Sequence, residues 1–236
     1  MRVMIEFQQH PQQFKYNDSM NAALVAGLTA AGLSSADLVG AQALPWTFGT
    51  AGRVTANGKR LVFSVTLSSP SDRFAEALAH LRPDDIRVAS SNGDSIYLGG
   101  GVIKPCRDLP DAGVNELMVG FASPFLIPLK KQGRQKTAFH DTLKDVDLSA
   151  AVVQGLSHRA GRPLNLSIST DRLSMMTDLK KRLVYVRQLP NGKPLFYPAF
   201  SVPMTLRGDP QDVRFAFLAG IGAKTHAGFG CPILMS

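Results

Sequence analysis

The order in which short periodic segments follow one another constrains this 236-residue chain more tightly than any single motif. MRVMIEF at 1–7 holds β-formers in loose alternation and reads as a strand. Asn17 or Asp18 then caps a helix whose apolar positions Met20, Leu24, Leu28 and Ala31 recur at helical spacing until Gly32. Two strand segments, LPWTF at 44–48 and RLVFSVTL at 60–67, flank Asn57-Gly58, a short-range hairpin signal. Ser69 is expected to cap a second helix, with Pro70 in its first position, Asp72 close to a capping box and Phe74, Leu78 and Leu81 as the buried stripe. IRVAS at 86–90 and SIYLGGGVI at 95–103, broken by Asn92-Gly93, close the run. The order is β-α-β-β-α-β, the split βαβ or ferredoxin-like pattern.

After a linker-like PCRDLPDAG at 105–113 the pattern partly repeats. ELMVGF at 116–121 predicts a strand, DVDLSAAVVQGLSHR at 145–159 a helix, and LNLSIS at 164–169, KRLVYVRQL at 181–189 and residues 196–206 further strands. Asp209 to Asp212 opens a short helix, and CPILM at 231–235 is the last strand. The expected fold class is α+β, two tandem ferredoxin-like (RRM-like) domains at 1–108 and 114–236. The second carries an inserted helical segment over about 130–162.

Ahead of the last strand, GIGAKTHAGFG at 220–230 places four glycines, Lys224 and His226 in eleven residues. Glycine loses more backbone freedom on ordering than any other residue, so this density marks conformations or close approaches that a Cβ forbids. Something is expected to lie against the loop.

Charge suggests what. The chain has 26 Lys and Arg against 18 Asp and Glu, and the excess is uneven: residues 1–118 carry a net −1 and residues 119–236 a net +9. Clustered positive charge that displaces counterions from phosphates is the footprint of a nucleic-acid binder, with a merely solvated basic face as the plainer alternative for any single run. With 44% hydrophobic and 19% charged residues the composition is globular. The two cysteines, Cys106 and Cys231, have neither metal-ligand spacing nor a disulfide framework, and no metal or cofactor is expected. MRVMIEF breaks at Glu6, and the longest helix-like apolar stretch, 22–33, is shorter than the ~20 residues of a membrane span. A cytoplasmic protein without membrane partners is expected.

Together these features carry a resemblance. Two ferredoxin-like units, FKYNDSMNAAL at 14–24, ALPWTFG at 43–49 and the closing glycine loop resemble the CRISPR-associated repeat-RNA endoribonucleases of the RAMP superfamily, over nearly the whole chain. With its low general similarity and the basic segment around 130–162, the chain also resembles the processing subunits of rarer systems such as type IV. The resemblance implies a metal-independent ribonuclease that binds the stem-loop repeat of precursor CRISPR RNA, cuts at its 3′ base and stays on the product, with other effector-complex subunits as further partners. In that chemistry the ribose 2′-OH attacks the neighbouring phosphate and leaves a 2′,3′-cyclic phosphate.

Many family members place a catalytic histidine shortly after the first helix, but this chain has none between His10 and His80. Residues 30–42 offer only Ser34, Ser35 and Asp37. A subunit that holds RNA without cutting it is therefore the alternative. As substitutes, His226 suits an acid or base near neutrality, or else only hydrogen-bonds loop backbone. Lys224 suits a phosphate. Tyr16 opens the first helix as an active-site or a packed aromatic, and Arg53 as a phosphate clamp or an exposed cation. For RNA contacts the candidates are Lys130, Lys131, Arg134, Lys136, Arg159, Arg162, Lys180, Lys181 and Arg182, with Gly220, Gly222, Gly228 and Gly230 of the loop. A nucleotide-binding enzyme is disfavoured, because the loop precedes a strand where phosphate-binding glycine motifs open a helix.

Overall fold

The computed structural model describes residues 1–7, 11–40, 43–129, 138–176 and 181–235. The first half runs β1 (Arg2–Glu6), β2 (Gln12–Phe14), α1 (Asn17–Ala30), α2 (Ser35–Leu38), β3 (Thr47–Val54), β4 (Arg60–Ser68), α3 (Asp72–His80), β5 (Arg87–Ser91), β6 (Asp94–Tyr97) and β7 (Val102–Pro105). The second runs β8 (Glu116–Phe121), β9 (Pro128–Leu129), β10 (Ala138–Phe139), α4 (Leu148–Ala160), β11 (Leu166–Ser169), α5 (Arg172–Met176), β12 (Lys181–Gln188), β13 (Pro194–Phe200), β14 (Met204–Gly208), α6 (Pro210–Ala219) and β15 (Pro232–Leu234).

Each half contains an antiparallel sheet with one strand order. In the first the ladder runs β3-β4-β1-β7, and β2 pairs with Arg60–Val62 of β4, beyond the stretch that β1 covers. In the second it runs β11-β14-β8-β15. Counted within its own half, each sheet places second beside third, third beside first and first beside fourth, the arrangement the β-α-β-β-α-β order predicts. Alternation buries Val3 and Ile5 of β1 and Val62, Val65 and Leu67 of β4 in a core with Met20, Leu24 and Leu28 of α1 and Phe74 and Leu78 of α3. Trp46 stacks on Phe48 and Phe74 there, and its indole nitrogen donates to the Leu38 carbonyl at 3.0 Å. The second core joins Val119, Ile168, Met204 and Leu206 of the sheet to Leu148, Val152 and Leu156 of α4 and Val213, Ala216 and Phe217 of α6. No helix among the described residues is long and apolar enough to cross a membrane.

Three local expectations are corrected. Ser71, not Ser69, caps α3, accepting from the Phe74 amide, while the Ser69 hydroxyl donates to Pro45 O at 2.7 Å. Neither Asn17 nor Asp18 caps α1: the N-cap is Tyr16, and the Asp94 carboxylate on β6 accepts from the amides of Lys15 and Tyr16 and from the Ser19 hydroxyl. The helix expected inside an insertion, α4, occupies the crossover between β8 and β11 and buries one face on the sheet. What is added to the pattern is the segment between β11 and β14, which carries α5 and the β12–β13 hairpin, together with the β5–β6 hairpin of the first half.

Candidate active site

The glycine loop is where the two halves meet. Gly220, Gly222, Gly228 and Gly230 all have positive φ, between 63° and 87°, a region that costs any residue with a Cβ. Their missing Cβ atoms also make room. A Cβ on Gly228 would lie 2.6 Å from the Phe48 ring, on Gly220 2.7 Å from Thr47, on Gly222 2.4 Å from Leu126 O and on Gly230 1.8 Å from Ile221 O. What lies against the loop on the side of the missing Cβ atoms is the protein's own backbone and β3. Across the same contact Thr47 donates to Phe229 O at 3.1 Å, and Ser123 to Phe48 O at 3.1 Å. The Asn17 amide of α1 reaches Ala227 O and Gly228 O.

Arg159, expected to hold RNA, also serves the loop. Its guanidinium donates to the carbonyls of Ala219 and Gly220 at 2.8 Å, to Gly222 at 3.4 Å and to the Thr225 hydroxyl at 3.0 Å. Burial brings its pKa down to about 10. Of the other RNA candidates, Arg162 pairs with the buried carboxylate of Asp212 at 2.5 Å, and Lys181 donates to Asp141 O at 2.9 Å. Lys130, Lys131, Arg134, Lys136 and Lys180 lie outside the described residues.

The β12–β13 hairpin leans across the junction. Val184 and Val186 face inward, onto Leu126, Ala227 and Phe229 beneath the hairpin. Leu183, Tyr185 and Phe196 stay exposed. The rings of Tyr185 and the buried Tyr16 stand at right angles with centroids 6.3 Å apart, and the Gln188 amide donates to the Asn92 side chain at 3.1 Å. Two clefts follow, one along the base of the hairpin and one at its tip.

The cleft at the tip is open and encloses about 1010 Å³. Asp18 and Asn21 of α1, Asn92 of the β5–β6 turn, Arg187 of β12 and Lys224 and His226 of the loop line it. Lys224 takes left-handed φ and ψ of 54° and 38°, which opens the short 3-10 turn carrying His226, and its ammonium sits 5.8 Å over the Tyr197 ring. Burial, and then the charges of Lys224 and Arg159, hold the His226 imidazole below its ordinary pKa. At neutral pH it is therefore uncharged and able to accept a proton. Burial pushes the Asp18 carboxyl up, while Arg187 and Lys224 draw it the other way. A proton acceptor, two cations and a carboxylate thus share one solvent-open cleft, the set that acid–base work on a phosphodiester requires.

The structure brings His226 and Lys224 together and leaves Tyr16 and Arg53 elsewhere. Tyr16 is buried and lines neither cleft; Arg53 lies in the other one. Asp18 and Arg187 were missed. The only signal for Arg187 is its phase on β12, where it alternates with the buried Val184 and Val186. Ser34 and Asp37, in the region where a family histidine is usual, form a capping box for α2, and Asp37 also pairs with Arg73. Among the described residues no group of three or more His, Cys, Asp or Glu side chains is placed to hold a metal ion.

The model of the family described as CRISPR associated protein Cas6, C-terminal, matches residues 110–232. That is half of the chain. The chain belongs to this Cas6 family. A solved RAMP protein described as binding different RNA substrates is 19% identical, with a TM-score of 0.70 over 100% of both chains. A Cas6-related protein from Pyrococcus furiosus is 15% identical at a TM-score of 0.69, covering 100% of this chain and 98% of that one. A solved CRISPR-associated Cas6 is 15% identical at 0.63, covering 100% and 99%. No curated protein matches the chain. At these identities the solved structures establish the fold, so it is the family match that makes this a Cas6 chain.

Proposed function

We propose that this Cas6-family chain is a cytoplasmic CRISPR RNA maturation endoribonuclease. It binds the repeat stem-loop of the precursor, cuts at the 3′ base without a metal and stays on the product. The observation that carries the reading is the cleft where an uncharged His226 stands beside Lys224, Arg187 and Asp18. His226 accepts the proton of the ribose 2′-OH, whose oxygen attacks the adjacent phosphorus as the bond to the 5′-oxygen breaks. Arg187 and Lys224 offset the charge that builds on the phosphorane, and the Lys224 ammonium supplies the proton to the departing 5′-oxygen. Asp18, drawn toward both cations, keeps them in the cleft. The products are a 2′,3′-cyclic phosphate and a free 5′-hydroxyl. We further read 1–108 and 114–236 as the two units between which the RNA is held.

The test is cleavage of a labelled repeat stem-loop in EDTA by wild type and by Lys224→Ala and Arg187→Gln. We expect one cut, a cyclic phosphate end and a slower reaction in both variants; unaltered rates in both would overturn the assignment. The missing histidine after α1 favours a second reading, a scaffold subunit that binds without cutting. Tight binding with no product under single-turnover conditions would select it.

A further inference from the structure

The second cleft, along the base of the β12–β13 hairpin, encloses about 270 Å³ and does not belong to the His226 site. Four cationic side chains line it, Lys15 from the entry to α1, Arg53 and Arg60 from the ends of β3 and β4, and Arg182 from β12, with no Asp or Glu among the described lining residues. Several arginines elsewhere are matched by carboxylates or carbonyls: Arg73 has Asp37, Arg162 has Asp212, Arg207 has Glu116 and Arg214 has Pro110 O. Arg60 is half-buried beside Arg182, and burial together with that repulsion brings its pKa down to about 10. Like charges held together without a counter-charge cost stability, and an anion relieves the cost.

Apolar side chains share the cleft with these cations. Pro124 and Tyr185 line it, and Tyr185 is 38% exposed, with Phe196 opposite it across the hairpin at 6.4 Å. The Lys15 ammonium lies 5.4 Å from the Tyr16 ring and 5.6 Å from the Tyr185 ring, so one cation sits at the aromatic edge of the cleft. Cations and an exposed aromatic ring in one cleft match the two parts of a nucleotide. The small volume limits the occupant to a single splayed residue, and an A-form stem cannot enter it.

We propose that this cleft takes one unpaired nucleotide of the RNA flanking the stem, its phosphate on Arg53, Arg60 and Arg182 and its base on Tyr185. The inference rests on the endoribonuclease reading and adds a second point of attachment, separate from the cutting site. It gives the β12–β13 hairpin a task, dividing the strand that is cut from the strand that is held.

The test compares affinities for a repeat stem-loop with and without unpaired flanking nucleotides, each 2′-deoxy at the cut so that it persists. Wild type should bind the flanked RNA more tightly. Arg182→Gln and Arg60→Gln should each reduce that advantage about tenfold, the worth of a charge-assisted hydrogen bond. Because Arg60 is half-buried, the exposed Arg53→Gln is added as a third variant, with loss of the same sign. Equal wild-type affinity for the two RNAs, or a full advantage kept in all three variants, overturns the subsite. If wild type still cuts the ribose form of the stem-loop, only the subsite falls; if it neither binds nor cuts, the endoribonuclease reading falls with it.

Discussion

His226 must stay uncharged to take a proton, and its burial, helped by the charges of Lys224 and Arg159, enforces that. His226→Gln should lower the single-turnover cleavage rate by about 10²–10⁴-fold, the usual worth of a positioned general base. The acid limb of the wild-type pH–rate profile should fall below the ordinary histidine value of 6.5, and a limb at or above 6.5 would contradict the role. Stability is linked to the same proton. The folded imidazole binds it less readily than the unfolded one, so its contribution is full above the unfolded value near 6.5 and is lost as pH falls through the folded value. Thermal melts of His226→Gln should therefore lose less stability than wild type over that acid interval. At this scale the sequence was half legible. The loop displays His226 and Lys224 five and seven residues before Cys231, whereas Asp18 and Arg187 reach the cleft from α1 and β12, and a convergence of that kind has no trace in linear spacing.

Glycines behave differently according to the element that holds them. Gly228→Ala and Gly230→Ala meet both a positive φ and occupied space, so each should destabilise by about 2 kcal/mol or more in urea unfolding. Gly155, on the exposed side of α4, has nothing within 4 Å and ordinary helical backbone, so Gly155→Ala should stabilise by about 0.5–1 kcal/mol. Asp94→Ala should cost about 1–3 kcal/mol, because it strands the amides of Lys15 and Tyr16 at the start of α1. The repeated β-α-β-β-α-β order was legible because apolar period changes with each element. The cap of α3 was misread because Ser69 and Ser71 both precede the helix, and only the fold decides that Ser69 turns to Pro45. The place of α4 was misread because a long stretch separates it from β8, although Leu148, Val152 and Leu156 put it on the sheet like any crossover helix.

Across the whole molecule, charge and contact are organised differently. Positive charge concentrates in the second half, yet the tip cleft takes Asp18 and the basic cleft takes Lys15, Arg53 and Arg60 from the first. Net charge announced a polyanion and could not say where it lies. If phosphates span both clefts, the logarithm of RNA affinity should fall linearly with the logarithm of salt, and Arg187→Gln should make the slope shallower by about 0.7–0.9. An unchanged slope would remove Arg187 from the RNA path. Whether His226 drives attack by the ribose 2′-OH is decided by single-turnover cleavage of a labelled repeat stem-loop in EDTA, comparing all-ribose RNA with RNA carrying one 2′-deoxyribose at the cut, each with wild type and His226→Gln. Wild type should give one product with a 2′,3′-cyclic phosphate on the ribose substrate and none on the deoxy substrate, and His226→Gln should slow the reaction at least a hundredfold. Cutting of the deoxy substrate, or equal rates for wild type and His226→Gln, would contradict that mechanism.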